Sequence, residues 1–129
     1  MIISIGCDIV EHSNFEKLGW ANDENTLRRI FSKNEIAISP KVDIEKYYSS
    51  RFAVKEAVLK CLGTGMEDGI SLKNIEISKS QIGLPWVSLS GKVKKISNSK
   101  RITNWHISIT HTANSSAVFV IAESVELKK

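Results

Sequence analysis

The sequence predicts an α+β fold, and the order of its hydrophobic patterns supports that prediction. An isoleucine-rich run at 1–5 is typical of a buried strand, and helical signals follow from about residue 14 to residue 62. From about residue 75 onward, apolar and polar residues alternate as they do in half-buried antiparallel strands. One strand, then helices, then several strands is the order expected of an α+β domain.

Length and composition are those of one globular domain, which we expect to span residues 1–129. Of the 129 residues, 42% are hydrophobic and 25% are charged, a balance that excludes a disordered or fibrous chain. Lys and Arg outnumber Asp and Glu by 18 to 14, and the net charge of +4 favours an anionic partner without singling out nucleic acid.

Cysteine content and the lack of long apolar runs bear on the compartment. Cys7 and Cys61 are too few for a disulfide scaffold and belong to no Cys/His cluster of the zinc type, so we expect two buried thiols. Neither a signal peptide nor a membrane-spanning run is recognisable, and we therefore predict a cytoplasmic protein.

Local signals place the helices of the first half. Gly6 is expected to end the first strand, and a helix is expected over 14–21. Asn25 can cap the next helix, and the segment Ser32–Glu35 has the form of a capping box. The stretch Ile44–Leu62 lacks Gly and Pro and precedes a glycine-containing turn, which predicts one long helix.

The second half is predicted to be mainly strands. Gly and Pro near residue 84 mark a hairpin turn. The expected elements are strands around 75–78 and 86–89, a short helix over 92–98, and strands around 105–110 and 117–122.

The long helix carries charges among apolar residues that spread almost all the way round it. Glu56 and Lys60 are four residues apart on one edge, and an exposed ion pair worth ~0.3–0.5 kcal/mol is one interpretation. Partly buried charges otherwise need a partner or a task. Asp8, expected just beyond the first strand, is either a helix-cap or turn residue or a metal ligand. As ligands, Asp8 and Glu56 could together hold Mg²⁺, which takes one or two protein carboxylates and completes its shell with water and phosphates.

Two histidines and two glycines allow similar alternatives. His106 and His111 are either ordinary histidines at a strand end or contacts for phosphate or nucleotide. Gly63 and Gly65 are typical of a helix cap, and the chain has neither a P-loop nor a dinucleotide fingerprint.

Four segments, in this order, resemble those of one enzyme family. They are Gly6–Glu11, Arg51–Lys60 with Gly63-Thr64-Gly65, Asn74–Ile77 and Ser108–Thr112. The chain resembles the holo-acyl-carrier-protein synthases, the small bacterial class of 4′-phosphopantetheinyl transferases, from Met1 to about Glu123. The most specific part is the Lys-Glu-Ala-x-x-Lys stretch together with the early aspartate.

The resemblance implies a reaction and a set of roles. The 4′-phosphopantetheine arm of coenzyme A would pass to a serine of apo acyl carrier protein in fatty acid biosynthesis, releasing 3′,5′-adenosine bisphosphate. Asp8 and Glu56 would bind Mg²⁺, and Lys60 would contact the phosphates and the leaving group. Glu56 would accept the serine proton, directly or through a metal-bound water. The implied coenzyme A contacts are Arg51, Lys60, Gly63, Gly65, His106 and His111. A homotrimer with active sites at its subunit interfaces is also implied.

The sequence departs from the family pattern at two places. Family members often carry an arginine shortly after the Asp-Ile-x-Glu stretch to hold the acidic carrier protein, and here residues 12–14 contain none. Lys17, Arg28 and Arg29 are therefore the candidate docking residues. The usual Gly-Lys-Pro turn is Gly83-Leu84-Pro85.

Two other functions remain open from the residues alone. A non-catalytic module that binds a nucleotide or an acidic protein would use the net charge and the histidines, but would not need Asp8, Glu56 and Lys60 together. A different Mg²⁺-dependent phosphotransfer enzyme is the second alternative. Neither nucleic acid nor a membrane is expected as a partner.

Overall fold

The structure is a computed structural model that describes residues 1–20, 23–65 and 68–125. Its strands are β1 (Ile2–Glu11), β2 (Ile75–Lys79), β3 (Pro85–Leu89), β4 (Asn104–His111) and β5 (Ser115–Glu123). Its helices are α1 (Asn14–Lys17), α2 (Glu24–Ile30), α3 (Lys33–Ala37), α4 (Ile44–Leu62) and α5 (Gly91–Ser99), and a 3₁₀ turn at Leu72–Asn74 precedes β2.

Two antiparallel sheets and the long helix α4 form the architecture. The larger sheet has the strand order β1-β5-β4, so the first strand pairs with the last, and β2 and β3 form a separate hairpin. Helix α4 packs on the inner face of the larger sheet, where Val118, Val120 and Ala122 of β5 are buried. The predicted α+β class is confirmed. No helix in the described ranges is long and apolar enough to span a bilayer.

Helix α4 has the bounds that the sequence predicts, and it is largely buried. Alanines and valines from residue 53 to residue 58 are fully inaccessible and meet the sheet. The helix ends at Gly63, whose φ of 66° is left-handed, and the N–H of Thr64 then bonds the carbonyl of Leu59. A glycine adopts this conformation at little cost, which explains the sharp stop.

The short helices pack an aromatic cluster against α4. Phe15 stacks on Tyr48 with ring centroids 5.1 Å apart, and Phe31 meets the same ring at 4.7 Å. The predicted capping box is confirmed, because Ser32 Oγ accepts from the N–H of Glu35 while Glu35 Oε1 accepts from the N–H of Ser32.

A buried ion pair fixes α4 to its neighbours. Lys55 Nζ lies 2.7 Å from Glu35 Oε1, and neither side chain is exposed. Lys55 also donates to the carbonyls of Leu72 and Ile75, and Glu35 Oε2 accepts from the N–H of Ile77. Charges this deeply buried need full hydrogen bonding, and the network joins α3, α4 and β2 at one point.

The structure corrects the expected end of the first strand. Strand β1 continues through Gly6, so Asp8 lies within the strand and not beyond it. A Cβ at position 6 would come within 2.3 Å of the Ala57 carbonyl oxygen. Gly6 therefore allows the strand to approach α4 closely, and it does not break the strand.

Three smaller predictions are also wrong. Helix α2 is capped by Asp23, whose carboxylate accepts from the N–H of Thr26, and Asn25 lies inside the helix. Helix α1 ends at Lys17, short of the expected 14–21, whose last residue lies outside the described ranges. Cys7 is exposed, because odd-numbered residues of β1 from Ile5 onward point to the outer face of the sheet, whereas Cys61 is buried as expected.

Candidate active site

The candidate site lies where β1 crosses α4. Gly6 faces the helix, and a Cβ there would meet the Ala57 carbonyl oxygen and, at 3.1 Å, Cys61 Sγ. Side chains alternate along a strand, so Asp8 points to the same face two residues later. The close approach at Gly6 therefore brings Asp8 to the edge of α4 that carries Glu56 and Lys60.

Lys60 reaches from the helix to the strand. Its Nζ donates to the Cys7 carbonyl at 2.9 Å and to Asp8 Oδ1 at 3.2 Å. The Lys60 side chain is 53% exposed and that of Asp8 is 24% exposed, so both remain accessible to a ligand. The ion pair of Lys60 is thus with Asp8 across two elements, and not with Glu56 along the helix.

Glu56 completes the cluster as a half-buried carboxyl group. Burial raises its pKa, repulsion from Asp8 raises it further, and Lys60 opposes both effects. Two carboxylates therefore share a partly desolvated space in which their repulsion is felt. A cation placed between them would relieve that repulsion.

The residues fit Mg²⁺ as the cation. Both candidate ligands are carboxylates, the type of donor that Mg²⁺ prefers, and two of them are enough when phosphate and water complete the shell. In the described parts of the chain, no cluster of three or more His, Cys, Asp or Glu residues could hold a metal, so a site built wholly from such protein ligands is not present there.

The turn after α4 lies one helical turn beyond Lys60. The N–H of Gly63 bonds the Lys60 carbonyl at 3.2 Å, and the Asp68 carboxylate accepts from Thr64 Oγ1 and, at 3.1 Å, from the N–H of Gly65. These hydrogen bonds lower the pKa of Asp68. Asp68 shapes a turn that carries two of the predicted coenzyme A contacts, and sequence analysis did not identify it.

Arg51 lies on a different face of α4 from Glu56. Its guanidinium carbon sits 3.8 Å from the centre of the Tyr47 ring, and the residue is 6% exposed. Its Nε is buried without a hydrogen-bond partner among the described residues, and burial lowers the pKa of the group. The structure therefore does not bring Arg51 into the Asp8 cluster.

The two histidines of β4 point to opposite faces of the sheet. His106 is on the outer face, where its Nε2 lies 3.0 Å from Glu123 Oε1. His111 is on the inner face, where its Nδ1 lies 2.6 Å from Ser116 Oγ, and the same oxygen lies 2.7 Å from His12 Nε2. His12 and Ser116 were missed by sequence analysis because 104 residues separate them and no local pattern links them.

The predicted docking residues are exposed on the short helices. Lys17 is in the last turn of α1, and Arg28 and Arg29 are in the last turn of α2. Arg28 makes an exposed ion pair with Glu24 at 3.7 Å, a kind of contact that contributes little to stability.

Comparison with known proteins shows the family. Residues 4–118 match the model of the 4′-phosphopantetheinyl transferase superfamily. The chain belongs to this superfamily. The holo-acyl-carrier-protein synthase of Nitratidesulfovibrio vulgaris strain DP4 is 38% identical over 125 residues, which cover 96% of this chain and all of that one. The family and the transferase class expected from the motifs are thereby confirmed.

Two solved structures show how closely this phosphopantetheinyl transferase follows the family fold. The holo-acyl-carrier-protein synthase of Neisseria meningitidis superimposes with a TM-score of 0.86 at 29% identity, covering 96% of this chain and all of that one. The Helicobacter pylori enzyme, solved in complex with coenzyme A, gives a TM-score of 0.79 at 30% identity, covering 92% and 99%.

The outer face of the larger sheet in this transferase carries an apolar patch on β1 and β5 that no described residue covers. Ile5 and Ile9 of β1 are 71% and 73% exposed, and Phe119 of β5 is 57% exposed. These three residues and Cys7, which pairs with Phe119 across the strands, form a continuous patch that we call the outer patch. An exposed apolar patch of this kind is typical of a protein interface.

Proposed function

We propose that the protein transfers the 4′-phosphopantetheine arm of coenzyme A to a serine of apo acyl carrier protein, with Mg²⁺ held by Asp8 and Glu56. The cluster of Asp8, Glu56 and Lys60 at the crossing of β1 and α4 is the observation that carries the proposal. The relatives are named as holo-acyl-carrier-protein synthases, and one of them binds coenzyme A.

The reaction sets the requirements that the cluster meets. A serine oxygen forms a bond to the β-phosphorus of coenzyme A, the bond from that phosphorus to the bridging oxygen breaks, and 3′,5′-adenosine bisphosphate leaves. Alignment of the nucleophile and neutralisation of phosphate charge are the main contributions that a protein makes to such a transfer. When bound, Mg²⁺ supplies positive charge to the pyrophosphate oxygens.

Each residue of the cluster has a role that follows from its surroundings. Glu56 is half-buried with a raised pKa, which favours it as the base that takes the serine proton. Lys60 is accessible and held beside Asp8, so its ammonium group stabilises the charge that develops on the leaving oxygen. Asp8 orients Lys60 and shares the cation with Glu56.

Further contacts to coenzyme A are assigned to the residues that the family resemblance implies. Arg51 has a buried guanidinium nitrogen without a partner in the described ranges, and guanidinium groups match phosphate geometry. The turn that contains Gly63 and Gly65 follows Lys60 directly, so its backbone is in a position to contact coenzyme A beside the Lys60 side chain. His106 and His111 are on opposite faces of one sheet, an arrangement that suits a coenzyme A site to which two copies of the chain contribute.

A homotrimer with shared active sites accounts for that division and for the outer patch. Packing copies on the outer patch would bury Ile5, Ile9 and Phe119 and would place His106, which is on the same face, at or near the interface between copies. We expect the wild type to sediment with the mass of a trimer. Phe119→Asp should yield a smaller species, whereas Trp86→Asp, an exposed aromatic residue on the β2–β3 hairpin, should remain trimeric; a wild-type monomer that is fully active would exclude the assembly.

The decisive experiment for the function follows the carrier protein directly. The protein is incubated with coenzyme A, Mg²⁺ and an apo acyl carrier protein, and the mass of the carrier is then measured by mass spectrometry. We expect the added mass of phosphopantetheine and an equal amount of 3′,5′-adenosine bisphosphate. A carrier whose acceptor serine is replaced by alanine should stay unmodified. Binding of coenzyme A with no mass gain would favour the non-catalytic alternative. A cytoplasmic location and a role in fatty acid biosynthesis are parts of the same proposal.

A further inference from the structure

One buried hydroxyl group joins two imidazole rings, and one of them belongs to His111, a candidate contact for coenzyme A. Ser116 Oγ lies 2.7 Å from His12 Nε2 and 2.6 Å from His111 Nδ1. Ser116 is 1% exposed and His12 is 7% exposed, whereas His111 is at the exposed end of β4. The two ring centroids are 6.2 Å apart, so the serine is the only short link that the described residues provide between the rings.

Counting protons restricts how this link can be made. A serine hydroxyl has one hydrogen and two lone pairs, so it can donate to only one of the two rings, and a ring to which it does not donate must donate an N–H to it. When Ser116 donates to His111 Nδ1, His12 Nε2–H donates to Ser116, and the proton of a neutral His111 is on Nε2. In every other arrangement His111 is protonated on Nδ1, and Nε2 of the neutral ring is a bare acceptor.

The surroundings of His111 favour a neutral ring. Burial lowers its pKa, and the positive charges of Lys46 on α4, His12 and Lys79 on β2 lower it further. A neutral His111 can hold an anion only through an N–H on the side of the ring turned away from Ser116. Of the possible arrangements, only the one in which Ser116 donates to His111 offers that N–H.

A cleft lies beside His12, one of the two linked rings. It has a volume of about 700 Å³ and lies between the end of β1, the start of α4 and the β4–β5 turn, with His12 and Lys46 in its wall. Glu11, Asp43 and Glu45 also line the cleft, so its wall carries negative as well as positive charge and does not attract anions as a whole. His111 does not line the cleft, but it is exposed at the end of β4, so its outward nitrogen is open to an anion from solvent. Such an anion depends on individually placed donors, and the tautomer of His111 then matters.

We propose that His12 and Ser116 are positioning residues that hold His111 as its Nε2–H tautomer, a neutral donor to a phosphate oxygen of coenzyme A. This inference rests on the proposed function, because it takes coenzyme A as the anion. Neither positioning residue touches the substrate; both act through His111. Without them His111 samples both tautomers and turns more freely, which weakens binding of coenzyme A and leaves the transfer step nearly unchanged.

The tautomers can be measured without any activity assay. In uniformly ¹⁵N-labelled protein without coenzyme A, long-range ¹H–¹⁵N spectra distinguish protonated from bare imidazole nitrogens. We expect His111 and His12 of the wild type to be protonated on Nε2. In Ser116→Ala, His111 should show a mixture of tautomers, while Ser97→Ala, another buried serine, should match the wild type. His111 protonated on Nδ1 in the wild type, or unaffected by Ser116→Ala, would overturn the proposal.

Steady-state kinetics provides the second measurement. For Ser116→Ala and for His12→Leu, we expect the KM for coenzyme A to rise about tenfold with kcat within about twofold of the wild type, as for a lost hydrogen bond to a charged group. An altered tautomer with an unchanged KM would refute the role in coenzyme A binding. If the wild type itself transfers nothing, the proposed function fails, and the spectra still decide how His111 is held.

Discussion

Gly6 and Ala57 are in direct contact where β1 crosses α4, and this contact sets the position of Asp8 relative to Glu56 and Lys60. The strand can lie this close only because residue 6 has no side chain, since a Cβ would come within 2.3 Å of the Ala57 carbonyl oxygen. The contact is with helix backbone, which cannot move aside as the end of a flexible side chain can. The geometry of the candidate site therefore depends on one hydrogen atom in place of a methyl group.

Gly6→Ala should damage both the fold and the site. Overpacking of this kind costs about 1–3 kcal/mol, so we expect the midpoint of urea denaturation to fall and phosphopantetheine transfer to be lost as Asp8 moves from Lys60. Gly83→Ala is the control, because Gly83 has a φ of 83° and open space around it on the β2–β3 hairpin. Gly83→Ala should lower stability through backbone strain but retain transfer. Full activity of Gly6→Ala would disprove that the site depends on a glycine at position 6.

Removal of either carboxylate or of the cation should stop the reaction. We expect Asp8→Asn and Glu56→Gln each to reduce transfer by at least about a hundredfold, as loss of one electrostatic group in a transition state does, with the fold retained. A chelator in excess should have the same effect on the wild type, reversed by added Mg²⁺. Circular dichroism checks the fold, and Glu76→Gln on β2 serves as the charge-matched control. Undiminished transfer in excess chelator would show that no divalent cation is needed.

The buried pair of Glu35 and Lys55 should be costly to break from one side. Lys55→Met leaves the Glu35 charge fully buried without its partner, and we expect the free energy of unfolding to fall by about 3–5 kcal/mol. The double variant Lys55→Met with Glu35→Leu should recover part of that loss, because it removes the unpaired charge as well. Urea denaturation measures both values; a loss below about 1 kcal/mol for the single variant would mean that Glu35 is not held as an ion.

Tyr47 should make the fold sensitive to alkaline pH. Burial raises its pKa to about 12, from the ~10 of an unfolded tyrosine. Between these values the unfolded chain loses the phenol proton and the folded chain keeps it, so its contribution to stability is full below pH ~10 and is lost as the pH rises towards 12. Thermal unfolding at a series of alkaline pH values should show a shallower decline for Tyr47→Phe; identical profiles for both proteins would contradict the shift.

Docking of the acidic carrier protein should depend on the exposed cations of α2. Reversing Arg28 and Arg29 to Glu should raise the KM for the carrier and leave that for coenzyme A unchanged, and added salt should also raise the carrier KM by screening. Reversing Lys94 and Lys95 on α5 makes the same change of charge elsewhere on the surface. If both double variants raise the KM for the carrier equally, the net charge of the protein and not a docking site is responsible.

Features set by neighbouring residues were predictable from the sequence, and those set by packing were not. The bounds of α4 and the capping box at Ser32 depend on local signals, and both were predicted correctly. Gly6 is ambiguous, because a glycine permits a chain break and a close approach equally well, and only the position of Ala57 decides between them. Cys7 could not be recognised as exposed until the direction of β1 over the helix was known.

The candidate site shows the same division. The residue types at Asp8, Glu56 and Lys60 suggested the chemistry, and the fold brings them together. The roles assigned to individual residues, like the single domain over 1–129, remain predictions. The contact of His12 with Ser116 and the pairing of Glu35 with Lys55 join distant parts of the chain, so only the three-dimensional structure could reveal them.

The pairing of β1 with β5 determines when the site can form as the chain is synthesised. Strand β1, which carries Asp8, has β5 as its only partner in the larger sheet, and β5 is the last of the described elements. A nascent chain emerging from the ribosome therefore holds β1 without this partner until residues 115–123 have been added. Pairing between strands this distant in sequence also makes folding of the sheet slow. The helices can form early on the ribosome, but the candidate active site forms only in the late step in which β1 pairs with β5.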